Sequence, residues 1–316
     1  MASEKSKASG KNAAYDRLRK AIKEKAPARA YLFYGEESYL RQTYVQQLQA
    51  LLIPRGSEDF NLHRLSGSRV TTQDVADAVE SMPMMAPSTL VTVTDWDIFR
   101  LDESQRSQLT ELLEDLPDYC TVVFIYDTVP YKPDRKMKKL TAAIDKNVEV
   151  VEFQGQSRDA LVRWLQKRFR ALGRSIDQQT ADYMLFYCGS MMDNLIGEVN
   201  KVAAFAKAEQ VTAADIAAVA EPVLDARIFD MTNHISARDY NKAAAVLGDL
   251  LRMQTEPIVI LGAIGKELRR LYTARMALDS GKDRFWLMDL WQMRSDYPAR
   301  LLLQAARRIA MEIGVE

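Results

Sequence analysis

Several residue types are scarce in this 316-residue sequence. There are two cysteines, Cys120 and Cys188, and two histidines, His63 and His234. Two cysteines far apart exclude a disulfide framework and a four-ligand zinc site, and make a reducing cytoplasm the expected compartment. Two histidines without partners at ligand spacing supply little for imidazole catalysis or a His-rich metal centre. No apolar run approaches the roughly 18 residues of a membrane span, and the first residues lack the apolar core of a signal peptide. Net charge is missing as well. Forty-three Lys+Arg offset 43 Asp+Glu, which argues against a protein that coats nucleic acid with positive charge. What is present is 47% hydrophobic and 27% charged residues. At roughly 100–200 residues per domain, that suits two or three domains with ample cores.

The neutral total is zoned. Residues 1–30 carry nine basic and three acidic side chains, 95–118 carry eight acidic and two basic, and 131–146 carry six basic and two acidic. Each zone reads either as a solvated helix face or as a docking surface.

The patterning predicts three domains in order. A Ser/Lys/Gly-rich tail over 1–12 is expected to be disordered. Over 13–153, strands alternate with helices. Strands are predicted at 30–34, 61–65, 89–94, 121–126 and 148–153. Helices are predicted at 14–25, 36–52, 72–82, 104–116 and 134–144. That alternation indicates a largely parallel sheet covered by helices on both faces. Beyond Phe153 the strand signals stop. Helices are predicted at 157–172, 177–187, from Ser190 with Asp193 at its capping-box position, and at 211–219 behind Thr212. These form a small helical domain over 154–220. After the Glu221-Pro222 break come helices at 224–236, 239–253, 257–280 and 297–313, a second helical domain over 221–316. Pro257 sits in the first turn of the third of these.

An α/β domain followed by a small helical one is the layout of AAA+ ATPases, so the phosphate loop can be tested. A Walker A loop needs two glycines, a lysine for the terminal phosphates and a hydroxyl for magnesium. After the first strand this chain has Tyr34-Gly35-Glu36-Glu37-Ser38-Tyr39-Leu40-Arg41. The second glycine, the lysine and the following Ser/Thr are absent, and two carboxylates stand where phosphates would bind. Gly35, Glu36, Glu37 and Ser38 therefore read as a degenerate phosphate loop, with the two glutamates complementing a helix N-terminus. Asp127 ends the strand at 121–126 in the manner of a Walker B aspartate, without a catalytic Glu after it. Neither a catalytic residue, nor a cofactor, nor a metal is expected.

These residues resemble one family. Tyr31-Leu-Phe-Tyr-Gly35-Glu-Glu-Ser-Tyr-Leu40 is similar to the corresponding phrase of the delta subunit of bacterial DNA polymerase III, the clamp-opening subunit of the clamp loader. Ser81-Met-Pro-Met-Met85 sits where that family has a Ser-Leu-Pro-Phe-Phe-like turn. Asp134-Arg-Lys-Met-Lys-Lys-Leu140 resembles its basic helix, and Gly197-Glu-Val-Asn-Lys-Val202 its lid signature. Phe229, Thr255-Glu-Pro257 and Lys266-Glu-Leu-Arg-Arg-Leu271 resemble its third domain. The likeness runs from about 14 to 312. The family usually continues some tens of residues further, which implies a shortened last domain here.

The resemblance implies an AAA+-like domain, a lid and an all-α collar that joins other subunits. It implies a protein that binds and opens the beta sliding clamp for loading onto primer-template DNA, beside gamma/tau and delta prime subunits that include the ATP hydrolysers. The location implied is a cytoplasmic replisome. Two other readings stay open. One is an ATP-binding AAA+ protein with a divergent phosphate loop. The other is a second non-catalytic loader subunit such as delta prime, which characteristically carries zinc-binding cysteines and a Ser-Arg-Cys motif that this chain lacks.

Met84 and Met85, adjacent and bracketed by Pro83 and Pro87, cannot both easily face one core. The residues alone allow burial beneath the domain or exposure as an apolar wedge. The resemblance favours the wedge, with Met82 and Pro83 beside it. Arg135, Lys136, Lys138 and Lys139 form a predicted basic helix and are candidate DNA or subunit contacts. Lys266, Arg269 and Arg270 are candidate contacts of the collar helix.

Overall fold

A computed structural model describes residues 2–134, 136–293 and 296–313. The chain divides into two compact units, Met1–Gly155 and Gln156–Glu316.

The first unit contains α1 (Ala2–Lys23), β1 (Ala30–Tyr34), α2 (Ser38–Leu52), the single turn α3 (Glu58–Asn61) and β2 (Leu62–Ser66). Then follow α4 (Thr72–Glu80), β3 (Thr89–Thr94), α5 (Glu103–Glu114), β4 (Cys120–Ile125), α6 (Lys138–Asn147) and β5 (Glu149–Glu152). Among the described residues the strands form one sheet, ordered β2-β3-β4-β1-β5, with every pairing parallel. Side chains alternate faces along a strand, and β1 shows the consequence. Ala30 and Leu32 join a core with Val91, Val122 and Leu109 beneath α4, α5 and α6. Tyr31 and Phe33 join the opposite core with Leu18, Tyr44, Leu48 and Phe153 beneath α1 and α2. A strand buried on both faces reads as a near-continuous apolar or β-branched run. That is why β1, β3 and β4 stand out, the last two with buried Thr89, Thr92 and Thr121.

The second unit is helical: α7 (Arg158–Ala171), α8 (Gln178–Cys188), α9 (Met192–Phe205), α10 (Ala213–Val219), α11 (Leu224–Ser236), α12 (Tyr240–Arg252), α13 (Pro257–Asp279), α14 (Arg284–Leu290) and α15 (Asp296–Ile313). A parallel sheet with flanking helices, then helices alone, is the AAA+-like architecture expected. The sequence divides these helices at residue 220, and the two groups, α7–α10 and α11–α15, touch one another across that boundary. Val223 N–H donates to Tyr187 C=O at 2.8 Å, Phe186 meets Phe229 edge-on at 5.3 Å, and Tyr297 packs on Tyr183 and Phe186.

Several local expectations are corrected. Helix α1 extends back to Ala2, over the tail expected to be disordered. Its anchor is the C-terminal part, where Ala14 and Leu18 are buried, and helix once nucleated propagates cheaply. Helix α4 stops at Glu80 because Ser81 turns extended, so Met82 lies outside it; its cap is Thr71, in a capping box with Asp74. The predicted capping box at Ser190 does not form, since α9 begins at Met192 behind Met191 with no side-chain cap. Helix α14 lies where the sequence pattern gives no helix; Asp283 caps it by accepting N–H bonds from Phe285 and Trp286, each at 3.1 Å.

Candidate functional site

Ligands of open α/β sheets bind outside the C-terminal ends of the strands, so this edge of the first unit is where a nucleotide would sit. Gly35 leaves β1 with φ +124°, and a Cβ there would lie 2.4 Å from the Phe153 carbonyl oxygen. The loop is sewn to the exit of β5: Phe153 N–H donates to Tyr34 C=O at 2.7 Å and Glu37 N–H to Phe153 C=O at 3.0 Å. The glycine serves a close backbone crossing at Phe153. Glu36 is exposed. Glu37 is fully buried and stands at the N-cap of α2, at the helix N-terminus where the pair was placed. Ser38 opens α2 and is half-buried.

The groups that could hold a nucleotide are engaged with one another. Arg41, 2% exposed, donates Nη1 to the Gly35 carbonyl at 2.7 Å and pairs through Nη2 with Asp127. The Walker-B-like carboxylate thus faces an internal cation where magnesium would be needed. Three successive N–H groups, of Asp127, Thr128 and Val129, converge as an anion-binding nest. It is filled by Asp95, whose Oδ1 accepts them at 2.8, 2.9 and 3.1 Å while Oδ2 accepts the Thr128 hydroxyl at 2.7 Å. Partial burial would raise the Asp95 pKa, but the donors from Val129, Thr128 and Asp127 outweigh it and hold the carboxyl below its usual range. Removing Arg41 leaves Asp127, which water can reach, and an unpaired Gly35 carbonyl. Arg41→Ala is expected to cost about 2–3 kcal/mol, below the full penalty for breaking a buried pair. Urea unfolding of the full chain checks it, and an unchanged midpoint would contradict the pairing.

The 82–85 loop lies between α4 and β3. Met82 is 76% exposed, Met84 55% and Met85 93%, and Pro83 is half-buried. Adjacent exposed apolar side chains on this scale form a patch rather than scattered exceptions. Met85 adopts φ +56°, a left-handed conformation uncommon outside glycine. Asn61, predicted to start a strand, instead closes α3 and bonds the backbone of Met84. Next to it Phe60 is 52% exposed, an apolar neighbour that no spacing rule singled out.

The basic segment is dispersed. Arg135 lies outside the described residues. Lys136 precedes the helix, because Asp134 Oδ1 accepts the Lys136 N–H at 2.9 Å in an Asx turn that delays α6 to Lys138. Lys138 and Lys139 then occupy a first turn, the unfavourable end of the dipole for cations. Across a groove of about 830 Å³ they face Glu103, Glu111 and Glu114 of α5, so part of the acidic zone meets part of the basic zone.

Of Lys266, Arg269 and Arg270 on α13, Lys266 donates to Asp225 Oδ2 on α11 at 2.8 Å. Arg270 lies 3.9 Å from the same carboxylate, 3.6 Å from Glu267 and over the Trp291 ring. Arg269 faces solvent. A cavity of about 330 Å³ in this unit is lined by Arg158, Asp182, Phe186, Glu267, Arg270 and Trp291. Its charges pair internally, Arg158 Nε donating to Asp182 at 2.7 Å, and burial pushes the Glu267 carboxyl up.

Comparison with known proteins gives a consistent result. The family described as DNA polymerase III, delta subunit, matches residues 31–154, and DNA polymerase III delta subunit, C-terminal domain, matches residues 225–313. The chain is 23% identical over 269 residues to DNA polymerase III subunit delta of Bacillus subtilis, covering 83% of this chain and 77% of that protein. It is 20% identical over 270 residues to the probable DNA polymerase III subunit delta of Aquifex aeolicus, covering 81% and 73%. The solved Bacillus subtilis DNA clamp loader delta protein shares the fold, with a TM-score of 0.53 at 20% sequence identity over 95% of this chain and 89% of that one.

Proposed function

Because the chain belongs to the DNA polymerase III delta-subunit family, we propose that it binds the ring-shaped beta sliding clamp through the 82–85 loop. It thereby weakens one interface of the ring and opens it for loading onto primed DNA. The observation that carries this reading is the exposure of Met82, Met84 and Met85 together on one short loop. Methionine is unbranched and polarizable, so it adapts to a hydrophobic pocket on a partner.

The chain does this without hydrolysing ATP. Two features support that half of the reading: Arg41 takes up Asp127, and Asp95 fills the amide nest. ATP chemistry then falls to the gamma/tau subunits, which with delta prime complete the loader around primer-template DNA. Helices α7–α10 serve as the lid and α11–α15 as the collar. In the collar, Arg269 is the member of its trio presented to a neighbour. The mixed lining around Lys136, Lys138 and Lys139 suits a partner subunit of mixed charge better than a bare phosphate backbone. Among the described residues no helix is long and apolar enough to cross a membrane, and we place the protein in the cytoplasmic replisome.

Titration of the isolated chain with the sliding clamp, in the presence and absence of ATP and magnesium, tests the reading. Clamp binding that is indifferent to ATP is expected. Tight ATP binding by the isolated chain would point instead to a divergent nucleotide site.

A further inference from the structure

Asn61 is a polar side chain with no exposure at all, placed at the end of a four-residue turn. A buried amide is tolerated only when its donors and acceptor are used, and here they are directed at the wedge. Nδ2 donates to Ser57 C=O at 2.9 Å and to Met84 C=O at 2.8 Å, and Oδ1 accepts the Met84 N–H at 2.8 Å. The two bonds to Met84 take both backbone polar groups of one residue, as a neighbouring β-strand would. Met84 lies between Pro83, which has no N–H to offer, and Met85 in its left-handed conformation. Such a conformation persists where the surroundings over-determine it. Asn61 holds the residue immediately before it.

We propose that Asn61 is a positioning residue for clamp engagement. By pairing with the backbone of Met84, it fixes the 82–85 loop with its methionines turned outward before the clamp arrives. This rests on the clamp-binding reading of that loop. Its physical effect is pre-organisation: a loop already ordered loses less conformational freedom on binding. Asn61 touches no clamp atom in this scheme and contributes through Met84 alone.

The test compares the full chain with Asn61→Ala, Asn61→Asp and the Met84→Ala/Met85→Ala pair. Hydrogen exchange at the residue-84 amide and clamp titration are measured on each. Asn61→Ala is expected to speed exchange at that amide at least about tenfold and to weaken clamp binding about tenfold. The methionine pair is expected to weaken binding while the residue-84 amide stays protected. Asn61→Asp keeps the side-chain volume and the acceptor but loses both donated bonds. Because its retained oxygen still accepts the Met84 N–H, its readout is clamp binding, expected to weaken severalfold. Parental binding in it, beside weakened binding in the methionine pair, overturns the proposal should the alanine variant fail to fold. Retained protection at residue 84 in Asn61→Ala overturns the proposal. So does lost protection with unchanged binding, provided the methionine pair does weaken binding. Unchanged binding in both the Asn61 and the methionine variants overturns the clamp reading itself.

Discussion

Replacing Met84 and Met85 together by alanine is expected to weaken clamp binding by about two to three orders of magnitude while leaving the fold intact. Fully burying one methionine side chain contributes roughly 1.5–3 kcal/mol. Losing about 3–4 kcal/mol from two corresponds to that range of affinity at about 1.4 kcal/mol per tenfold. Stability should hardly move. Both side chains are exposed in the free chain, and exposed substitutions usually fall within about 0.5 kcal/mol. Clamp titration beside urea unfolding separates the two effects. A double variant that binds like the parent would remove the wedge from the mechanism.

The largest expected effect on stability lies at Gly35. Alanine there would have to accept φ +124°, a region essentially reserved for glycine. It would also place a methyl group 2.4 Å from the Phe153 carbonyl oxygen. The dihedral alone costs about 1–3 kcal/mol. The overlap is with backbone, which no side-chain rotation relieves, so the total should reach about 4 kcal/mol, exceptional for one methyl group. Against a typical domain stability of roughly 5–15 kcal/mol that is a large fraction. Urea unfolding followed on the sheet-containing unit would show the shift. Near-parental stability would mean that the β1 loop does not cross Phe153 as described.

The frame of the first unit is readable in the sequence because its central strands, β3, β4 and β1, are buried on both faces. Ala30–Tyr34 and Thr89–Thr94 are strands over the predicted residues, and Cys120–Ile125 begins and ends one residue earlier than predicted. Elements set by local polar chemistry were less readable. The Asx turn at Asp134 moved the start of α6 to Lys138, beyond Lys136. Asn61 reads as strand in the sequence because the apolar run at Leu62 invites extension backward, whereas it closes α3. Its partner, Met84, is 23 residues away, and no spacing rule connects them. Arg41 is legible in the sequence of α2. With Tyr44 and Leu48 it falls on the buried stripe of α2, and a charge on an apolar stripe must have a partner. Finding that partner in Asp127, 86 residues on, needed the parallel register of β1 on β4. The reading of a degenerate phosphate loop rests on residues that are missing; the structure adds the Arg41 guanidinium on Asp127 and the Asp95 carboxylate in an amide nest.

The central claim is that this chain opens the ring by binding alone. The most direct measurement is release of sliding clamps already closed on nicked circular DNA, followed after adding the isolated chain without ATP or other loader subunits. The account predicts release well above the spontaneous rate, lost in the Met84→Ala/Met85→Ala variant. Clamps that bind the chain yet stay on the DNA at the spontaneous rate would contradict it.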